Sequence, residues 1–132
     1  MSGGRTRWHL LANAPVVAWL VTFVVVALVH RFVPAAGWLL VHTLLLGAVS
    51  SAILVWSGHF AGALLRRPDA ARAKGALVRL GLLQVGTVTV ATGILVQRPL
   101  VIAVGAVLVV TAVLAHAAAL VLMLRRSLPA RF

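Results

Sequence analysis

Residues 36–67 read AGWLLVHTLLLGAVSSAILVWSGHFAGALLRR, and the fold turns on how that run is read. No Asp, Glu, Lys or Arg occurs between Ala36 and Leu65, and the run stops on Arg66-Arg67-Pro68. As helix, at ~1.5 Å per residue, it is ~45 Å long, against about 30 Å for the hydrocarbon core of a bilayer. It therefore crosses a membrane with length to spare for tilt or protrusion. Trp38 at one end and the arginine pair at the other are side chains that settle among lipid headgroups.

Three further apolar runs flank it. The first spans residues 14–33, with Pro15 read as a first-turn proline and His30-Arg31-Phe32-Val33-Pro34 turning the chain. Ahead of it, Trp8-His9-Leu10-Leu11-Ala12-Asn13 suggests a short amphipathic lead-in lying in the interface. A polar loop is expected over 66–75. A third helix follows over 76–97, from which Arg79 can snorkel to the headgroups. Arg98-Pro99 makes a tight turn into a fourth helix, 99–124. The expectation is an all-α, polytopic membrane protein: residues 1–132 as one domain, a four-transmembrane-helix bundle.

Composition points the same way. Of 132 residues, 63% are hydrophobic and 10% charged, with a mean hydropathy of +1.13. A soluble domain carries charge on roughly a quarter of its residues, so the lipid bilayer is the expected solvent. The net charge of +11, with Asp69 the lone acid, would suit nucleic acid in a soluble protein. Here the cations cap apolar runs instead, and no basic helix is free of lipid, which argues against nucleic acid. The absence of Cys excludes disulfides, thiolate metal sites and c-type haem attachment. The first apolar run has no small-residue cleavage site followed by a hydrophilic domain, so it reads as a retained helix rather than a signal peptide. Arginine outnumbers lysine and Ala, Val and Gly abound, which fits a GC-rich bacterial genome and a multi-pass protein of the bacterial cytoplasmic (inner) membrane.

Charge also predicts orientation. Arg5 and Arg7, then Arg66, Arg67, Arg72, Lys74 and Arg79, then Arg125, Arg126 and Arg131 make ten cations on one side; Arg31 and Arg98 are alone on the other. The positive-inside rule then puts both termini in the cytoplasm, N-in/C-in. Small residues predict the contacts: Gly47, Ser51, Gly58 and Gly62 on the second helix, Gly86, Thr89 and Gly93 on the third, and Gly105, Ala112 and Ala119 on the fourth. Such spacing lets helices approach closely where no hydrophobic force joins them.

Ionisable groups inside a bilayer are costly, so each is a functional candidate. His9 and His30 fall near span ends, in reach of water or headgroups. His42 lies just inside the outer end of the second helix. His59 and His116 lie nearer the inner side, at about the depth of Gln84. A hydrogen-bonded polar layer of His59, Gln84 and His116 is one expectation; a pair of imidazoles on a haem b iron is another, since histidine suits that metal. His42 and His59 cannot share a metal, because 17 residues along one helix separate them by ~25 Å. With a single acid, in a loop, there is no carboxylate pair, acidic proton relay or Ser-His-Asp set. Ser50, Ser51, Thr87, Thr89, Thr92 and Thr111 are expected to bond to carbonyls of their own helices.

The string from His42-Thr43-Leu44 through Val55-Trp56-Ser57-Gly58-His59-Phe60 resembles the second helix of haem–copper oxidase subunit I. In that superfamily a histidine at the position of His42 is an axial, metal-binding ligand to the low-spin haem, and the second ligand comes from a much later helix. The chain as a whole, from Trp8-His9-Leu10-Leu11-Ala12-Asn13 to Leu128-Pro129-Ala130-Arg131-Phe132, is similar to bacterial multi-helix membrane proteins described as copper (multicopper) oxidases. Those proteins are distantly similar to nitric-oxide-response membrane proteins. The resemblance covers nearly all of this chain but only the first four helices of such a protein. It implies a module of a haem- or copper-linked respiratory or nitrogen-oxide redox protein, an N-terminal piece or a shortened relative, with half a haem site at His42. The sequence departs from the family in offering no second axial ligand at that depth, no His cluster for copper and no Cys-His-Met set. Catalysis by the chain alone is not expected. Two other readings stand beside it: a non-catalytic scaffold or assembly subunit that docks on partner transmembrane helices, and a small carrier built on His59, Gln84 and His116, the weakest for want of an intramembrane acid.

Overall fold

The computed structural model describes residues 3–65 and 70–127. Four helices carry almost all of them: α1 Gly3–Val29, α2 Ala36–Leu64, α3 Ala70–Leu95 and α4 Pro99–Ser127. No strand occurs among the described residues. All four helices are long and apolar enough to cross a membrane, and the short connections run them up and down in turn.

Three boundaries differ from the sequence reading. α1 begins at Gly3 rather than near Ala14, so the interfacial lead-in and the first span are one helix, and Pro15 sits in its interior. Proline there has no N–H to give the carbonyl one turn back. Close by, the Asn13 side chain donates to the His9 carbonyl at 2.8 Å. The α-helix gives way at Val29 to a 3-10 turn, His30–Phe32. α3 starts at Ala70, so residues 70–75 are helical where a loop was expected; the rest of that loop, residues 66–69, lies outside the described residues.

Each of the two turns on the Arg31/Arg98 side contains one residue in the left-handed region. Ala35, at φ 54°, precedes α2, and Gln97, at φ 51°, follows α3. Around Gln97 the hydrogen bonds Arg98 N–H to Gly93 O (2.9 Å) and Gln97 N–H to Ile94 O (3.2 Å) close a Schellman cap. Pro99 then opens α4, where its fixed φ and missing N–H cost nothing. The expected Arg98-Pro99 turn is thus a helix stop joined directly to a helix start.

α2 is not uniform. Thr43–Val49 is a π-helical stretch, with α-helix on both sides. Ser50 Oγ reaches back five residues to the Leu45 carbonyl, at 3.0 Å. Widened turns of this kind are uncommon and concentrate at functional sites.

α2 and α3 form the interior, with 39% and 33% of their apolar windows buried; α1 and α4, at 6% and 11%, lie outside. Two apolar clusters join them, Ala12 with Val55 and Leu80, and Leu54 with Leu83 and Ala112. The α3–α4 seam is the closest. A Cβ placed on Gly105 would fall 2.6 Å from the Val90 nitrogen, one on Gly93 would fall 2.7 Å from that of Ile102, and one on Gly86 would fall 2.9 Å from that of Val109. These backbones meet because no side chain keeps them apart. The small-residue expectation is met there and at Gly47, whose absent side chain leaves room for the Trp19 indole. It is not met at Gly62, which has nothing within 4 Å, while Gly58 has only the His116 ring, at 3.8 Å. Thr89, half-buried, bonds its hydroxyl to the Val85 carbonyl of its own helix.

Candidate functional site

Polar side chains within the bundle form separate groups. The central one ties three helices. Trp19 Nε1–H on α1 donates to Gln84 Oε1 on α3, and Gln84 Nε2 donates to Ser51 Oγ on α2 at 2.8 Å. Ser51 Oγ, fully buried, donates in turn to the Gly47 carbonyl at 2.6 Å. Each amide or hydroxyl would be costly in hydrocarbon without a partner. Linked as a chain, they instead set the register of α1, α2 and α3.

The second group ties α4 to α2. His116, 6% exposed, places Nε2 2.8 Å from Ser57 Oγ, and the Ser57 hydroxyl also contacts the Ile53 carbonyl. A hydroxyl has one proton to give. If it goes to Ile53, His116 donates from Nε2; if to His116, the carbonyl bond is lost. Either way the imidazole is committed to a neighbour.

The third group surrounds His42. Its ring stacks on Trp38 with centroids 3.7 Å apart and planes 11° apart. Its Nδ1 lies 2.8 Å from the Trp38 carbonyl, so Nδ1 carries the proton and the Nε2 lone pair is free to act as a ligand. Metal-binding histidines are held in this way, with the second nitrogen on a carbonyl. The π-helical stretch begins at the next residue. A cavity of about 10 Å³, lined by Trp19, Trp38, His42, Thr43, Leu46 and Thr87 among others, adjoins it. That is room for about one water molecule.

The fourth group gathers at the end of the bundle where α1 starts and α2 finishes. His9 and His59 face each other with ring centroids 5.3 Å apart, beside Trp8, Trp56 and Phe60.

The expected layer of His59, Gln84 and His116 is therefore divided among three separate groups. Gln84 goes to Trp19 and Ser51, His116 to Ser57, and His59 to His9. A haem held inside the bundle by His59 and His116 does not fit this arrangement. One imidazole is bonded to Ser57 and the other lies at an exposed end. His42 differs in keeping Nε2 unbonded by any described residue. Among the described residues no set of three His, Cys, Asp or Glu side chains converges. Ser50, Ser51, Thr87, Thr89 and Thr111 bond to carbonyls of their own helices, as expected.

Sequence reasoning overlooked Trp19, Ser57 and the partner of His59. The signal for the last was available. Counting α1 from Gly3 puts His9 at the depth that His59 has on α2. Comparison with protein-family models, with curated proteins and with solved structures found no match.

Proposed function

We propose that the chain is the membrane-embedded part of a haem- or copper-linked redox protein of the bacterial cytoplasmic membrane, with His42 as a single axial ligand. The supporting observation is the His42 ring, held through Nδ1 by the Trp38 carbonyl and stacked on the Trp38 indole, with Nε2 unbonded by any described residue. The π-helical stretch that follows His42 adds weight, as does the resemblance of the second helix to haem–copper oxidase subunit I. His42 would hold the group through Nε2, and the group would supply the electron-transfer chemistry. Ten cations on one side and two on the other support N-in/C-in insertion. Haemin titrated into the protein in nanodiscs should give a histidine-ligated Soret band at one equivalent, lost in His42→Ala and kept in His116→Ala. An unchanged band in His42→Ala rejects the assignment.

A second reading, a scaffold that docks on other transmembrane helices, is favoured by the bare outer helices, with only 6% of α1 and 11% of α4 buried over their apolar windows. Native mass measurement in nanodiscs separates the two. A scaffold that acts by self-association gives a multiple of the 13.9 kDa chain, with or without haemin.

A further inference from the structure

Three of the five histidines have a ring nitrogen fixed by a neighbour: His30 Nδ1 by the Ala27 carbonyl, His42 Nδ1 by that of Trp38, and His116 Nε2 by Ser57 Oγ, each at 2.8 Å. His9 and His59 differ. No hydrogen bond joins either ring to another described residue, and these two meet each other, 5.3 Å between centroids with planes 70° apart. We infer that His9 and His59 form a two-imidazole site for a first-row divalent cation at the end of the bundle where α1 begins and α2 ends.

The separation suits the chemistry. With a metal–nitrogen bond of about 2.0–2.1 Å and the ring centre about 1.2 Å behind the nitrogen, two imidazoles hold their centres about 5.2 Å apart at a tetrahedral angle. At the right angle of a tetragonal ion such as Cu²⁺ the centres are about 4.5 Å apart, a difference that a turn of the exposed His59 ring covers. The backbone is set independently of any metal. Ala12, one turn inward from His9, packs on Val55, one turn inward from His59, and Leu80 closes that contact. Asn13 holds the His9 carbonyl. The register that pairs Ala12 with Val55 therefore brings the two imidazoles together, while His59 is exposed and free to rotate onto a ligand.

Two protein nitrogens leave coordination positions to water or to lipid phosphate oxygens at this depth. Arg7, two residues from His9, opposes a dication. The site thus selects for imidazole affinity rather than charge, which favours Cu²⁺ over Zn²⁺ and both over Mg²⁺ or Ca²⁺. Anionic headgroups should strengthen binding by offsetting the arginines.

The test is Cu²⁺ titration of the chain, purified without a polyhistidine tag and placed in nanodiscs containing anionic lipid, read by electron paramagnetic resonance. The expected result is one equivalent bound through two nitrogens. Affinity should fall at least tenfold in both His9→Gln and His59→Gln, variants that keep a polar side chain in place, and stay unchanged in His30→Ala and His42→Ala. Circular dichroism and particle size confirm that each variant is folded. A smaller fall in either glutamine variant overturns the site, as does an equal fall in His42→Ala. Because His42→Ala is silent here and decisive in the haemin titration, failure of one reading does not decide the other.

Discussion

The α3–α4 seam and the α1–α2 seam are both built on glycine, yet they are held together differently. Along α3–α4, Gly86, Gly93 and Gly105 face the main chain of the opposite helix. Along α1–α2, the atoms nearest to Gly47 belong to the indole of Trp19, whose own nitrogen is bonded across to Gln84. Main chain cannot yield without moving a whole helix, whereas an indole can turn on its side-chain bonds. The first seam should therefore be brittle and the second compliant, with a polar bond supplying the specificity that contact alone does not.

The sharpest way to break this contrast is Gly105→Ala. Its new Cβ lies 2.6 Å from the Val90 nitrogen and 2.9 Å from the Gly86 carbonyl oxygen. A loss of about 3 kcal/mol, the upper range for overpacking, is expected in reversible unfolding from mixed micelles. Gly47→Ala should cost less, about 2 kcal/mol, because Trp19 can swing aside. Its signature should be a change in tryptophan fluorescence as the bond to Gln84 is lost. Equal losses for the two glycines would erase the distinction. Gln97→Gly should stabilise by about 1 kcal/mol, since the left-handed cap then carries no Cβ, and it shows whether the turn adds to the stiffness of the α3–α4 pair. The smallest effect concerns the polar link. A double-mutant cycle of Gln84→Leu with Ser51→Ala should give a coupling of about 0.6 kcal/mol, the usual scale for interhelical bonds in membranes. Zero coupling would leave the compliant seam without its specificity device.

How much of this the sequence disclosed depends on the kind of feature. The four helices were legible because unbroken apolar runs bounded by arginine leave few alternatives. The stop at Gln97-Arg98-Pro99 was legible because proline punctuates the chain. The start of α1 was misjudged because Pro15 looked like a first-turn residue, and it proves to be internal. That one error hid the His9–His59 pair, because it left His9 outside the helix that carries it. The close approach at Gly86, Gly93 and Gly105 could be read from spacing. The idleness of Gly62 could not, since an unpartnered glycine looks the same in sequence as a packed one. Counting residues put Gln84 level with His59 and His116, whereas it bonds Ser51, eight residues (~12 Å) along α2 from His59, so the choice of Trp19 and Ser51 over the histidines was out of reach. The widened turn at 43–49 leaves no mark in hydrophobic periodicity at all.

That turn sets a phase between the two ends of α2. A single surplus residue amounts to about 100° of rotation in an even α-helix, and the widened turn over Thr43–Val49 takes that rotation up. Excising one residue there, for instance the exposed Leu45, would restore an even winding. With the widened turn gone together with the residue it takes up, the Trp38–His42 stack would keep its bearing relative to Ser51, Ser57 and His59. The widened turn thus lets α2 carry one more residue without re-aiming either half, and forcing an even winding on the full-length segment would turn the Trp38–His42 stack by that angle.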